Sequence, residues 1–531
     1  MNELNFFETI DCIEKLRSNE TYTKYKNISD SFEKANVLTI LKNKAKEFGF
    51  NKTDFESELK TFEKLEEQKE KAIKKNDEKN KKIVVPDNTL SDTSTLLLMD
   101  SENKFCIYDG DLYYYSKKGL YTKNTDELDT QIINYKQNAD KHFRDEVPHY
   151  IKILLHNQSN AHKETIDTNY INFKNGLFNL TTKQLEEHSK DVFTINQLNV
   201  NYYDIEKYGG SIYKEAENIV NRFLDDISCN DTERKQAILE MIGYSMTSKT
   251  DLQKSFILYG SGANGKSTLT DLVQAILGNF NCTNMNLTEI TEDKFALARL
   301  RNKTLNICEE MTTKYINDSS ILKNIITTNR LSSRELYKQG EEKINYAKFI
   351  FNVNELPKIA DTTEGYYRRW HAISFKAHFT SNDTKNFDKN ALFDERAKEY
   401  LTYISLKAYL EMLESSHTFS NTAESDKIMT AYRITNSSVC SYICDTEIGL
   451  SSLLRKDQIL YRNLMYTDYK SYCKQMGFIP KSNQKFYKEI LEKPYNNFIS
   501  VKFYNGINRY IIDKHKYDEY IQQQNLILNE N

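Results

Sequence analysis

The sequence predicts an α/β protein built on a parallel sheet, with an α+β region before it and a helix and hairpin module after it. Three observations predict this. A short apolar strand, Ser255–Tyr259, runs into a glycine loop and then into a helical pattern that ends at Gly278. Two further apolar strands, Lys303–Cys308 and Ala347–Val353, each end in polar side chains. Near the C-terminus, two helices precede strands that alternate around Asn505-Gly506, the strongest short hairpin signal.

Composition narrows the class. The 531 residues suggest about three to four domains. With 39% hydrophobic and 12% aromatic residues, the chain is neither disordered, nor collagenous, nor a small disulfide scaffold. Eight scattered cysteines, of which only Cys440 and Cys444 lie close, point to a reducing compartment rather than a zinc site. The N-terminus lacks the basic start and apolar core of a signal peptide, and no apolar run approaches the roughly 18 residues of a membrane span. A soluble, cytoplasmic protein is expected.

Taking the elements in order, residues 1–90 read as short helices and a charged linker. Thr53 and Glu56 have capping-box spacing ahead of Phe55, Leu59 and Phe62. Lys64–Lys82 has hardly an apolar residue and reads as a solvated helix or linker. Residues 91–240 form an α+β region, with aromatic strands turning at Asp109-Gly110 and Lys118-Gly119. The sheet domain occupies 241–380, a helical lid and connector 381–450, and the C-terminal module 451–531.

After the first strand comes Gly260-Ser261-Gly262-Ala263-Asn264-Gly265-Lys266-Ser267-Thr268, the spacing of a Walker A phosphate loop in its required strand–loop–helix setting. Glycines let successive N–H groups turn inward and approach phosphate, and the helix N-terminus adds partial positive charge. Lys266 is placed to reach the β- and γ-phosphates of ATP, and Ser267 to hold Mg²⁺. Glu309 and Glu310 follow the second strand. An acid there positions Mg²⁺, for which Glu309 is the candidate, and a second carboxylate polarises water. Asn354 ends the third strand, where an amide can orient water against the γ-phosphate. Arg368 and Arg369 follow, and an arginine beside such a pocket stabilises transition-state charge, often from a neighbouring subunit.

In this order the motifs resemble the superfamily-three (AAA+) helicases, specifically the poxvirus-type and phage or plasmid primase-helicase branch. The likeness runs from about Asn172 to Phe379 and takes in FKNGLFNLTTKQLEEHSKDVFT, EMIGYSM, FALARLRNKTLNICEE, LKNIITTNRLSSRELYK and FIFNVNELPKIADTTEGYYRRWHAISF. The resemblance implies a P-loop AAA+ ATPase forming homo-hexameric rings that hydrolyse ATP between subunits. It implies travel along single-stranded DNA in the ring channel, usually 3′ to 5′. It gives Glu309 and Glu310 the Walker B position, Asn354 the sensor position and Arg368 or Arg369 the finger, with Arg369 favoured. It also implies a channel hairpin touching DNA backbone, here 334–338 and 344–348 flanking QGEEK, with Lys338 and Lys343 as candidates. The chain has Thr327-Thr328-Asn329 where the branch often has Gly-Gly-Asp. No acid cluster upstream suits nucleotide polymerisation, so primase activity is not expected and a separate primase or host replication proteins are the expected partners.

The C-terminal order of helix, helix and hairpin is that of a winged helix, whose second helix commonly enters the major groove. Gln484, Lys485 and Lys488 then face DNA, and Lys502 and Arg509 lie on the wing. The formal net charge of -3 hides this module: residues 451–516 hold thirteen basic and five acidic side chains, a net of +8. The expected function is an ATP-dependent replication initiator helicase of a phage or mobile element, its winged helix recognising origin duplex. Two alternatives stay open: an origin-binding initiator that uses ATP as a switch and unwinds little, and an ATPase that remodels protein.

Overall fold

The computed structural model describes residues 3–28, 31–76, 88–101, 103–124, 126–208, 210–293, 295–309, 319–327, 331–333, 341–343, 345–357, 359, 363–454, 460–492, 494–504 and 507–529. Glu310, Lys338, Thr328, Asn329, Asn505 and Gly506 lie outside these. Two compact units form: 1–167 with 188–195, and 168–187 with 196–531. The division falls inside the 91–240 region expected as one domain.

In the first unit, short helices bury Phe7, Leu16, Tyr22, Leu41, Phe55 and Leu59 together. The helix Lys52–Asn76 differs from expectation at its start. Its cap is Asn51, whose side chain accepts from the Thr53 N–H (2.9 Å), because the Glu56 carboxylate is drawn instead to Lys42 and to Lys60 (2.8 Å). It also continues through the charged stretch to Asn76. Four strands follow: β1 (Phe105–Tyr108), β2 (Asp111–Tyr115), β3 (Tyr121–Thr122) and β4 (His162–Lys163), in sheet order β3-β2-β1-β4. Asp109-Gly110 is the two-residue turn between β1 and β2, with Tyr108 paired to Asp111.

The second unit opens with an antiparallel sheet, β5 (Tyr170–Phe173), β6 (Gly176–Asn179) and β7 (Gln184–Glu186). The helices Lys214–Ser228 and Thr232–Met246 lead into a five-stranded sheet. Its strands are β8 (Ser255–Tyr259), β9 (Cys282–Thr283), β10 (Leu305–Cys308), β13 (Lys348–Val353) and β14 (Trp370–Ser374), after the short pair β11 (Leu331–Ser333) and β12 (Glu341–Lys343). The order is β14-β8-β13-β10-β9 and every pairing is parallel. Strands covered by helices on both faces read as unbroken apolar runs, which is why SFILY and LNIC are legible as strands. The expected channel hairpin sits earlier than read: β11 pairs antiparallel with β12, Leu331 opposite Lys343, whereas Lys348 begins the buried β13. Residues 345–348 are claimed by the sheet core, which outweighs a local hairpin.

Beyond the sheet, helix Glu395–Ser415 packs on helix Thr232–Met246, and helix Ala423–Asn436 lies against β14. The last module contains β15 (Leu460–Tyr461), helix Arg462–Met476, helix Asn483–Ile490, β16 (Ile499–Tyr504) and β17 (Ile507–Ile512), its sheet ordered β15-β17-β16. Gly477 ends the first of these helices with φ +73°, and the Ser482 hydroxyl caps the second by accepting from the Lys485 N–H. Stacked Tyr469 and Phe486, 4.3 Å between centroids, fasten the two helices.

Candidate functional site

The phosphate-type loop leaves β8, the inner strand next to the edge strand β14 of the five-stranded sheet. β8 pairs with β13 on one side and β14 on the other, and the Gly260 N–H donates to the Val353 carbonyl at 3.1 Å. From there the backbone reverses sign repeatedly, with φ +102° at Gly262, +49° at Ala263 and +85° at Gly265. Gly265 is the residue before helix Lys266–Leu277, and a Cβ on it would sit 2.6 Å from Ile227 Cγ2. A Cβ on Gly260 would lie 2.3 Å from Asn264 Nδ2 and 2.4 Å from the Phe375 carbonyl oxygen. Both sites therefore require glycine.

Lys266, the first residue of that helix, is buried. Its Nζ donates to the Gly260 carbonyl (2.6 Å), to Asn264 Oδ1 (3.2 Å) and to Asn354 Oδ1 (3.4 Å). Burial lowers its pKa. All three acceptors are neutral, and no ion pair to a carboxylate forms among the described residues. A buried ammonium ringed by neutral oxygens has unspent affinity for an anion. Ser267 is exposed beside it and Thr268 half-buried.

Parallel register carries the other candidates to the same edge. Cys308 of β10 pairs with Phe351 of β13, and Val353 pairs with Tyr259 of β8. Glu309, Asn354 and Gly260 thus all lie at the carboxyl ends of adjacent strands, and Glu309 is exposed. The chain leaves β8 towards β9 and returns to β14 on the other side, so β8 marks a switch in strand order, where open α/β sheets bind ligands. The hydroxyl of Ser267 and carboxylate of Glu309 are hard oxygen donors, which suit Mg²⁺ held jointly with phosphate and water.

The arginines are not brought to this edge. Trp370 of β14 pairs with Ser255, so Arg368 and Arg369 sit at the amino ends of the strands, roughly 16 Å along β8 from the loop at 3.3 Å per residue. The Arg369 carbonyl accepts from the Ser255 N–H (2.7 Å) and its guanidinium donates to the Gly365 carbonyl. Arg368 is exposed, 3.5 Å from Gln253 Oε1.

Two features escaped sequence reasoning. Buried Asn352, inside β13, donates to Thr270 Oγ1 at 3.2 Å and ties that strand to the helix after the loop. The signal was an amide within the apolar run KFIFNV. Buried Arg234 gathers Ser374 Oγ (3.1 Å), the Ser228 carbonyl (2.6 Å), Asp231 (3.3 Å) and Glu424 (2.9 Å). Glu424 also accepts from Ser374 and Lys376. This cluster fixes the end of β14, one residue before Phe375, whose carbonyl accepts from Asn264 Nδ2 of the loop (3.2 Å). No spacing in the sequence announces it.

In the C-terminal module, Gln484, Lys485 and Lys488 are exposed on helix Asn483–Ile490, whose other face buries Phe486, Tyr487 and Ile490. Lys502 and Arg509 are paired in register across β16 and β17, and the Arg509 guanidinium lies 5.9 Å from the Tyr461 ring. Lys343 ends β12; Lys338 falls outside the described residues. Among the described residues no cluster of three His, Cys, Asp or Glu is arranged for a metal, and no helix is long and apolar enough to cross a membrane.

Two family models match. Residues 258–369, described only as a family of unknown function (DUF5906), enclose the loop, Glu309, Asn354 and both arginines; residues 35–229 match the "D5 N terminal like" family. The chain is 27% identical over 238 residues to the candidate helicase L207/L206 of Acanthamoeba polyphaga mimivirus, covering 43% of this chain and 24% of that protein. It is 25% identical over 304 residues to Primase D5 of Fowlpox virus, covering 51% of this chain and 37% of that protein. The chain thus spans well under half of either relative's length. The solved structure of the NrS-1 C-terminal region aligns over 79% of this chain and 98% of its own, at 15% identity and a TM-score of 0.40. Over part of its length the chain is thus similar in sequence to a mimivirus protein named as a helicase and a fowlpox protein named Primase D5, and its residues 35–229 are similar to the D5 N-terminal family.

Proposed function

We propose that the chain is an ATP-driven DNA helicase acting in replication initiation, with a P-loop AAA+ core and a C-terminal winged helix. The observation that carries this reading is the convergence at one sheet edge of Gly260–Ser267, Glu309 and Asn354, with a buried lysine that has no anionic partner among the described residues. ATP with Mg²⁺ supplies the phosphoanhydride whose hydrolysis drives movement. Lys266 exchanges its neutral acceptors for phosphate oxygens, and that exchange releases Asn354 to orient water. Ser267 and Glu309 would hold Mg²⁺, and the second carboxylate, Glu310, would accept the water's proton. Arg369, at the far edge of the sheet, cannot serve its own loop and acts on a neighbouring copy, in the six-membered ring that the resemblance implies. Origin duplex is held by Gln484, Lys485, Lys488, Lys502 and Arg509, and the threaded strand by Lys338 and Lys343. Synthesis of primers is left to a partner.

The test is unwinding of a tailed duplex by the full chain with ATP and Mg²⁺. Unwinding that stops in Lys266→Ala supports the reading. Duplex binding and ATP binding without strand separation would favour the ATP-switched initiator instead.

A further inference from the structure

The hairpin of β16 and β17 carries two chemistries on its two faces. In an antiparallel ladder, paired residues share a face and successive residues alternate. Lys502 and Arg509 are one such pair, and beside them on β15 is Tyr461, paired to Arg509. Val501 with Tyr510, and then Phe503, occupy the opposite face. Towards the module core that face is covered, since Tyr510 is buried against Tyr487, 4.9 Å between centroids. Two residues further along β16 the cover ends, and Phe503 is 73% exposed. A largely exposed phenyl ring on the face opposite paired cations, in a module whose residues 451–516 hold thirteen basic and five acidic side chains, has its complement in a polyanion that also offers flat apolar surfaces. A nucleic-acid junction is such a partner: phosphates on the outside, and an unstacked base face where the duplex ends. A ribbon with cations on one face and an aromatic on the other fits between separating strands, where DNA lies on both sides.

We propose that Phe503 stacks on the terminal base pair at a duplex to single-strand junction, while Lys502 and Arg509 hold phosphates across the ribbon. This rests on the DNA-binding reading of the module. Apolar side chains wedged against base steps and aromatic stacking platforms are general devices of such binding.

The experiment uses the full chain and forked DNA with 2-aminopurine at the first paired position, without nucleotide. Binding of the natural protein should quench the probe. Phe503→Ala should lose the quenching and weaken fork binding by about five- to a hundredfold. Phe503→Trp should restore both, and a fully paired duplex closed at both ends should be bound equally by all three. Unchanged fork affinity and fluorescence in Phe503→Ala overturns the proposal. So does a shift in sedimentation with unaltered DNA signals, which would make Phe503 a protein contact. A natural protein that binds neither DNA at low salt overturns the DNA-binding reading itself, an outcome distinct from loss of the wedge alone.

Discussion

The sheet edge and the C-terminal module use cations in opposite ways. Lys266 is buried, held by three oxygens and fixed at the start of a helix. Lys485, Lys488 and Lys502 are exposed, and among the described residues only Lys488 of these has a carboxylate near, Glu492 at 4.0 Å. A lysine poised for a transferring phosphate must be pre-placed and desolvated, because its value lies in low dielectric and fixed geometry. Lysines that grip duplex backbone act by displacing counterions, which requires solvent and tolerates motion. The difference teaches that the two sites should fail differently: the first all at once, the second by degrees.

The sharpest break is expected at the far edge of the sheet. Arg369→Ala should lower hydrolysis on the order of a thousandfold or more. Mixing it with Lys266→Ala subunits should recover part of the ATPase rate, since each mutant can complete its neighbour's site. No recovery in mixed assemblies would count against the shared site. Lys266→Ala alone should cost on the order of a hundred- to a thousandfold in hydrolysis, while duplex binding by the C-terminal module persists.

Next in size is the support beneath the loop. Glu424→Ala leaves buried Arg234 with one fewer carboxylate, and should cost about 3 kcal/mol in stability, read as a fall in denaturant midpoint. Equal midpoints would show that the Arg234–Glu424 pair contributes nothing to stability. His371 gives a smaller, pH-gated effect. Burial among Phe256 and Phe419 holds its pKa down to about 4 from 6.5, so the unfolded chain binds the extra proton between those values. Stability from this group is therefore full above pH 6.5 and is lost as pH falls towards 4, by about 2 kcal/mol at pH 5. His371→Phe should flatten that part of the pH profile; an unchanged slope would assign it elsewhere. The mildest change belongs to the exposed cations. Lys485→Ala with Lys488→Ala should reduce the salt slope of duplex binding by about 2, leaving ATPase activity without DNA intact. A salt slope that stays the same would remove these lysines from the interface.

What was legible follows from how local the signal is. The loop was readable because Gly260, Gly265, Lys266 and Ser267 are close in sequence and sit between a strand and a helix that fill the core. Gly477 and Ser482 were readable for the same reason, as caps acting within a few residues. The edge on which Arg369 stands was not, because it depends on β14 pairing parallel to β8 across more than a hundred residues. The Arg234 cluster draws on residues 228, 231, 374 and 424, and no short pattern encodes that meeting. The cap at Asn51 and the limits of the β11 and β12 pair show tertiary contacts overriding local pattern: Lys42 takes Glu56, and the sheet takes Lys348.

The central claim is that one sheet edge holds ATP while a neighbour's opposite edge completes the site, and that this engine acts on DNA. Electron microscopy of the full chain with a non-hydrolysable ATP analogue and forked DNA tests it most directly. The account predicts a six-membered ring with phosphate density against Gly260–Ser267, Arg369 of the adjacent copy beside the γ-phosphate, and one strand threaded through the channel. Single copies on the DNA, or nucleotide bound away from that loop, would contradict it.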